Sequence, residues 1–341
     1  MKEWDRRIAH PITGQENPAY LHGVIVPMFT PCNSNGTLDE RGIRSYVNYL
    51  VSNGSVNALF ARSGLGRMYT FSVNDVRRLA DIVIDEVADR LPVFVGCSGE
   101  LSADSPERPD AHTYLRQSIE LCQYVQRKGA TAAVLVLPVA LVPHREELPA
   151  EVVLEYFRRV EAETDIPLII YQPPETTRRF RATPSLIEEV SRSGQVVGMK
   201  ISTSRMDVFL SCSKAAQNAN FALIAGDETV FLFTILVGGT GVIGQGCTTH
   251  PEILKAVYER AMAFDVAGAS KAALDTFAAV NAAPGEDPRR CGLPIPPEGR
   301  GDRTALFKGW GPSTFGGNKR TLCLQSGRSE VRVPRFNGPL V

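Results

Sequence analysis

From residue 23 onward, short apolar runs alternate with longer stretches in which apolar residues recur every three or four positions. The runs fall at 24–29, 56–61, 92–96, 132–137, 167–171, 196–200, 221–225 and 241–243. They are apolar throughout instead of alternating with polar residues, the pattern of parallel strands buried on both faces. The intervening stretches predict amphipathic helices. In 73–88, Val76, Leu79, Val83 and Val87 fall on one face, while Asp75, Arg77, Arg78, Asp81 and Asp85 take the other. Strand–helix units repeating roughly every 30 residues predict an α/β fold. Eight of them match a closed (β/α)8 TIM barrel with the helices as an outer ring. An open doubly wound sheet is the competing arrangement, but no GxGxxG follows the first strand.

The barrel is expected over 23–264, with residues 1–22 as an N-terminal extension that either folds under it or stays loose. Helical pattern continues through 251–264 and 267–281, so 265–282 reads as the start of a C-terminal helical segment. The character of the chain then changes. Residues 283–341 hold ten Gly, eight Pro, eight Arg and two Lys against five acids, a local net charge near +5 with no apolar period. Such a composition does not bury enough apolar surface to offset the entropy of ordering, and a largely disordered tail is expected.

A hydrophobic fraction of 43% in 341 residues is enough for a sizeable core, and Lys plus Arg balances Asp plus Glu at 37 each. No overall field recruits nucleic acid or an anionic membrane, which points to small-molecule partners. The first 20 residues lack the apolar segment of a secretory signal, and no run approaches a membrane span. Seven cysteines, an odd number with no CxxC pair, fit a reducing cytoplasm.

In a parallel barrel, chemistry sits at the C-terminal ends of the strands. The sixth run, Val196-Val197-Gly198-Met199-Lys200, ends in a lysine, and the fifth, Leu168-Ile169-Ile170-Tyr171, ends in a tyrosine. A partly desolvated lysine there loses its charge more readily, and the free amine attacks a carbonyl. A neighbouring phenol can carry the protons of carbinolamine formation, dehydration and C–C cleavage. On spacing alone the alternative stays open that Lys200 snorkels to solvent and Tyr171 is a core-edge aromatic.

Several runs together carry a resemblance: residues 23–31 with Gly36-Thr37-Leu38-Asp39, then Ile170-Tyr171-Gln172-Pro173-Pro174, Gly198-Met199-Lys200, Ala225-Gly226-Asp227-Glu228 and Gly238-Gly239-Thr240-Gly241-Val242-Ile243. In this order and spacing the chain resembles the dihydrodipicolinate synthase and N-acetylneuraminate lyase superfamily of Schiff-base (class I) aldolases, over about Gly23 to Asn281. The resemblance implies a lyase, aldolase or dehydratase with Lys200 as the Schiff-base lysine and Tyr171 as the proton shuttle. It further implies a 2-oxo acid such as pyruvate or a 2-keto-3-deoxy sugar acid as substrate, a homo-oligomer, commonly a tetramer, and no metal or other cofactor. Substrate contacts are expected at Ser63, Gly64, Leu65, Gly226 and Ile243.

Three departures qualify it. The family's carboxylate loop after the second strand reads Gly-Thr-Thr-Gly-Glu, whereas this chain has Ser63-Gly64-Leu65-Gly66-Arg67. The Gly64 and Leu65 N–H groups could still cradle an anion, with Ser63 or Arg67 assisting, or the glycines merely allow a tight turn. Pro138-Val139-Ala140 stands where synthases carry Pro-Tyr-Tyr, and Glu175-Thr176-Thr177 where they carry an arginine. Arg178 and Arg179 lie just downstream, as carboxylate ligands or as solvated charges. A role other than typical dihydrodipicolinate synthesis is therefore expected.

Weaker candidates are a phosphate cradle at Gly238–Gly241 against a simple turn, Asp227 and Glu228 as site-shaping or capping groups, and Cys97 and Ser98 at the third strand's end. A metal-dependent aldolase would need converging ligands, and His10, His22, His112, His144 and His250 are scattered. A non-catalytic, ligand-binding barrel is the alternative kept open by the altered loop. The loss of the family's C-terminal helices after Asn281 suggests a reading-frame change, which resequencing the 3′ end of the gene tests.

Overall fold

The computed structural model describes residues 2–101, 109–142, 148–174 and 182–280. Eight parallel strands close into a barrel in strict chain order. They are β1 (Gly23–Pro27), β2 (Ala58–Ala61), β3 (Val93–Gly96), β4 (Ala132–Val136), β5 (Leu168–Gln172), β6 (Val196–Ile201), β7 (Ala222–Ala225) and β8 (Gly239–Val242). Closure runs through Gly241 of β8 beside Gly23 of β1. The expected (β/α)8 fold is thus present, with β8 starting two residues before its apolar run because Gly239 and Thr240 carry no hydrophobic signal.

The helices are α1 (Glu40–Ser52), α2 (Val73–Val87), α3 (Ala111–Arg127), α4 (Ala150–Glu161), α5 (Pro184–Val190), α6 (Met206–Asn218), α7 (Phe231–Leu236), α8 (Gly246–Thr249), α9 (Pro251–Met262) and α10 (Val266–Val280). Local chemistry sets their starts. Ser72 accepts the Asp75 N–H while the Asp75 carboxylate takes the Ser72 N–H, a reciprocal cap that opens α2. Thr183 caps α5, whose first residue is Pro184. The inward face of α2 buries Val76, Leu79, Ala80, Ile82, Val83 and Val87 against the strands.

Inside the barrel, Ile25, Ala58, Phe60, Phe94, Val134, Ile169, Tyr171, Ala222, Ile224 and Ile243 form one packed cluster, so the cylinder is filled and is not a pore. Ahead of β1, Arg7–Ala9 and Glu16–Pro18 pair as an antiparallel ribbon, with Asn17 opposite Ile8. Gln15 donates from Nε2 to the Phe221 carbonyl at 2.6 Å, which ties the ribbon to the start of β7, and Trp4 packs on the barrel cluster. The extension therefore folds against the N-terminal end of the barrel. The segment Cys32–Asp39 groups separately and forms a tight turn closed by a bridge between Cys32 and Leu38. The 283–341 tail lies outside the described residues, as do 175–181 with Arg178 and Arg179, and His144.

Candidate active site

Glycine and a strand irregularity aim Lys200. Between Leu168 and Ile169 of β5, the facing β6 strand advances by two residues, from Val196 to Gly198, so Val197 forms a bulge. The register that follows pairs Tyr171 with Lys200, and Lys200 in turn with Ile224 of β7. Tyr171 and Ile224 both belong to the interior cluster, so Lys200 shares their inward face. Gly198 permits the close approach: a Cβ there would meet the Ala222 carbonyl oxygen at 2.7 Å.

The Lys200 ammonium nitrogen sits 4.2 Å from the centroid of the Tyr171 ring. Both residues are buried, at 6% and 5% exposure. Burial pulls the Lys200 pKa from 10.5 down to about 8, against the opposing pull of Cys247 and Glu228. Near neutral pH a useful fraction of the amine is therefore unprotonated. The snorkelling alternative does not fit a lysine this enclosed.

The loop after β2 reaches the same phenol. A Cβ on Gly64 would lie 3.0 Å from the Tyr171 hydroxyl oxygen, so the glycine backbone and the phenol face one another. Among the described residues the Gly64 and Leu65 N–H groups have no hydrogen-bond partner. Ser63 is fully buried, and its hydroxyl donates to the Met28 carbonyl and accepts the Gly66 N–H, both at 3.0 Å. Its side chain holds the loop in shape and takes no hydrogen bond from the two successive N–H groups. Arg67 is half-buried with φ at 61°.

Gly226 and Ile243 lie at the same C-terminal end of the barrel as Lys200. The Gly226 N–H donates to Ile201 at 2.9 Å, and the Ile243 N–H donates to Ala225 at 2.8 Å, so both follow directly on the ends of β7 and β8. Asp227 accepts the Thr229 N–H and hydroxyl and acts as a cap. Glu228, by contrast, is buried and reaches across to accept the Gly246 N–H at 2.8 Å. Desolvation raises its pKa, and the same cause pushes the buried Cys247 thiol upward. Glu228 was a candidate site-shaping or capping group in the sequence, whereas Cys247 did not stand out, because its approach to the lysine depends on α8 folding back over the end of β8.

Arg62 was also missed. It follows β2 directly, is 2% exposed, and sits in left-handed backbone at φ 52°. A charged residue at the end of a barrel strand was the available signal, obscured by the glycine motif beginning one residue later.

The other candidates divide between the two ends of the barrel. Gly238–Gly241 opens β8 and so belongs to the N-terminal end of the barrel, away from the lysine. The Cys97 thiol donates to Val95 and interacts with Cys122 of α3, facing the helix layer. Ser98 accepts the Val136 N–H at 2.8 Å. His10 and His22 belong to the N-terminal end, and His250 neighbours Glu252 at 3.9 Å. Among the described residues no three His, Cys, Asp or Glu side chains gather as metal ligands, and no helix is long and apolar enough to cross a membrane.

Residues 20–280 match the model of the dihydrodipicolinate synthetase family. A 4-hydroxy-tetrahydrodipicolinate synthase of Methanothermobacter thermautotrophicus is 26% identical over 254 residues, covering 74% of this chain and 83% of the relative. Among solved structures, a prophage protein of the dihydrodipicolinic acid synthase family from E. coli K12, in complex with pyruvate, superposes with a TM-score of 0.66 at 24% identity, covering 75% of this chain and 80% of that one. The N-acetylneuraminate lyase of Fusobacterium nucleatum gives a TM-score of 0.66 at 20% identity, covering 76% and 82%. The chain belongs to the dihydrodipicolinate synthetase family, whose members are class I aldolases and lyases.

Proposed function

We propose that this protein is a Schiff-base lyase or aldolase acting on pyruvate or a 2-keto-3-deoxy sugar acid, with Lys200 as nucleophile and Tyr171 as proton shuttle. The observation that carries the reading is the buried lysine amine over the phenol ring, 4.2 Å from its centroid. The amine lone pair forms a C–N bond to the ketone carbon, and the carbinolamine loses water to leave a protonated imine. That imine withdraws electrons from the bonds to its adjacent carbon, so either the C–H bond there breaks and a proton leaves, or the C–C bond breaks and an aldehyde departs; the electron pair remains in an enamine in both cases. Tyr171 supplies and removes the protons at this centre.

The carboxylate of the 2-oxo acid is assigned to the Gly64 and Leu65 N–H groups, with Gly226 and Ile243 lining the opposite wall. A role other than typical dihydrodipicolinate synthesis is supported by the segment after β4. There a short helical turn, Val139–Leu141, buries the aliphatic Ala140 and offers no phenol to extend a proton relay. The curated relatives carry the synthase name, so the assay must include both chemistries. A homo-oligomer, tetrameric by resemblance, is part of the same reading.

The test is a pyruvate-linked assay with a panel of 2-keto-3-deoxy sugar acids in the cleavage direction and aspartate semialdehyde in the condensation direction. Pyruvate release from a sugar acid is the expected result. Turnover with aspartate semialdehyde alone would overturn the substrate assignment, and no turnover or adduct with any 2-oxo acid would leave a ligand-binding barrel.

A further inference from the structure

Arg62 is a buried guanidinium with no carboxylate in salt-bridge contact among the described residues. It donates from Nε to the Met68 carbonyl at 3.2 Å, and from one terminal nitrogen to the carbonyls of Gly96 at 3.2 Å and Ser98 at 2.5 Å. Met68 lies at the far end of the loop that begins at Ser63, and its own N–H donates back to the Ser63 carbonyl at 3.2 Å. Gly96 and Ser98 belong to the end of the next strand. One side chain thus clamps both ends of the Ser63–Met68 loop to β3. Its own backbone is held left-handed at φ 52°, strain that persists only where the surroundings fix it.

Isolated buried charge is costly, and neutral residues of similar volume are often as good or better for stability alone. A guanidinium with no counter-ion among the described residues, bonded to the end of a loop whose Gly64 and Leu65 N–H groups have no partner among them, is suited to something brought from outside. The side chains around it, Cys97, Tyr114, Tyr156 and Glu100, do not neutralise it by direct pairing; Glu100 spends a carboxylate oxygen on the Val73 N–H at 2.6 Å. The loop it clamps is the one whose Gly64 faces the Tyr171 hydroxyl.

We propose that Arg62 is a positioning residue for substrate carboxylate binding: it fixes the Gly64 and Leu65 N–H groups in place and supplies a buried positive charge behind them. This inference rests on the Schiff-base reading above. It explains how a loop with Gly64 and Leu65 in place of two hydroxyl-bearing residues can still hold a carboxylate. The chemical class selected is a 2-oxo acid anion in preference to the matching neutral ester.

The experiment traps the protein with borohydride over a range of concentrations of pyruvate and of methyl pyruvate, which has the ketone without the charge. Wild type is compared with Arg62→Met, which keeps the length, and Arg62→Lys, which keeps the charge but not the three-carbonyl fork. The expected result is that half-maximal trapping by pyruvate moves up on the order of 10- to 100-fold in Arg62→Met and less in Arg62→Lys, while methyl pyruvate is unaffected. Equal losses for both ketones would make Arg62 a general fold element and overturn the proposal, as would unchanged trapping in a folded Arg62→Met. If the variants fail to fold, wild type alone still decides: trapping by methyl pyruvate at concentrations as low as pyruvate would overturn it. No trapping of wild type by either ketone would instead remove the Schiff-base reading itself.

Discussion

The Lys200 amine and the Tyr171 ring stand face to face across the β5–β6 ladder, paired in register with the nitrogen 4.2 Å from the ring centroid. The phenol oxygen extends beyond that contact toward Gly64, so one tyrosine touches both the nucleophile and the loop assigned to the substrate carboxylate. Removing only the hydroxyl isolates its role. Tyr171→Phe should keep the fold and slow turnover by about 10²–10⁴-fold, because proton transfer at each step loses its donor. Adduct formation should be slower yet still reach completion on long incubation. Unchanged steady-state kcat in Tyr171→Phe would remove the shuttle.

Burial of the lysine should show in the pH dependence. With its pKa brought down to about 8, the rate of adduct formation should climb through that region and level off above it. Glu228 is one of the groups that hold the value up, so Glu228→Gln should move the midpoint to lower pH while the amide oxygen still accepts the Gly246 N–H. A midpoint that stays near the ordinary lysine value in the wild type would contradict the burial argument.

The same shift has a stability cost with a defined sign. Between pH 8 and 10.5 the unfolded chain holds a proton on this lysine that the folded chain has released, so stability rises with pH across that window. Below it the folded state carries the full desolvation cost, on the order of 3 kcal/mol. Lys200→Met should therefore be inactive yet more stable near neutrality, with Tm raised by roughly 5–10 °C and the advantage shrinking above pH 8. Thermal melts at pH 7 and pH 10 check this, and a destabilised Lys200→Met would refute it.

Much of this architecture was legible in the chain. Eight continuous apolar runs and the α2 pattern carry the barrel, since parallel strands covered on both faces leave no polar alternation to confuse. Lys200 and Tyr171 were readable because the ends of consecutive strands must be neighbours. The bulge at Val197 was not, because it is a register property of two strands and leaves no composition signal. Arg62 was missed for the related reason that its partners Gly96 and Ser98 lie far along the chain, and Cys247 because nothing local marks its approach to Lys200; Glu228 was readable as a site-shaping or capping group, but its bond to Gly246 was not. The ribbon ahead of β1 escaped detection because three-residue strands are too short to show a period.

That ribbon region gives a prediction independent of catalysis. His22 is buried, shares a 2.9 Å hydrogen bond with the Tyr258 hydroxyl, and has its pKa brought down to about 4, mainly by burial and also by neighbouring His10. A histidine with a lowered folded value contributes stability that is present above its unfolded value of about 6.5 and lost as pH falls toward 4. Tm should drop between pH 7 and pH 5. His22→Gln should flatten that slope, and an identical slope in the variant would place the acid sensitivity elsewhere.

Capture of a ketone by the Lys200 amine is read out by intact-mass analysis after borohydride reduction with pyruvate. A single stoichiometric adduct is expected in the wild type, mapped to the peptide containing Lys200 and absent from Lys200→Ala. An adduct that persists in Lys200→Ala, or none in a folded wild type across 2-oxo acids, would contradict it.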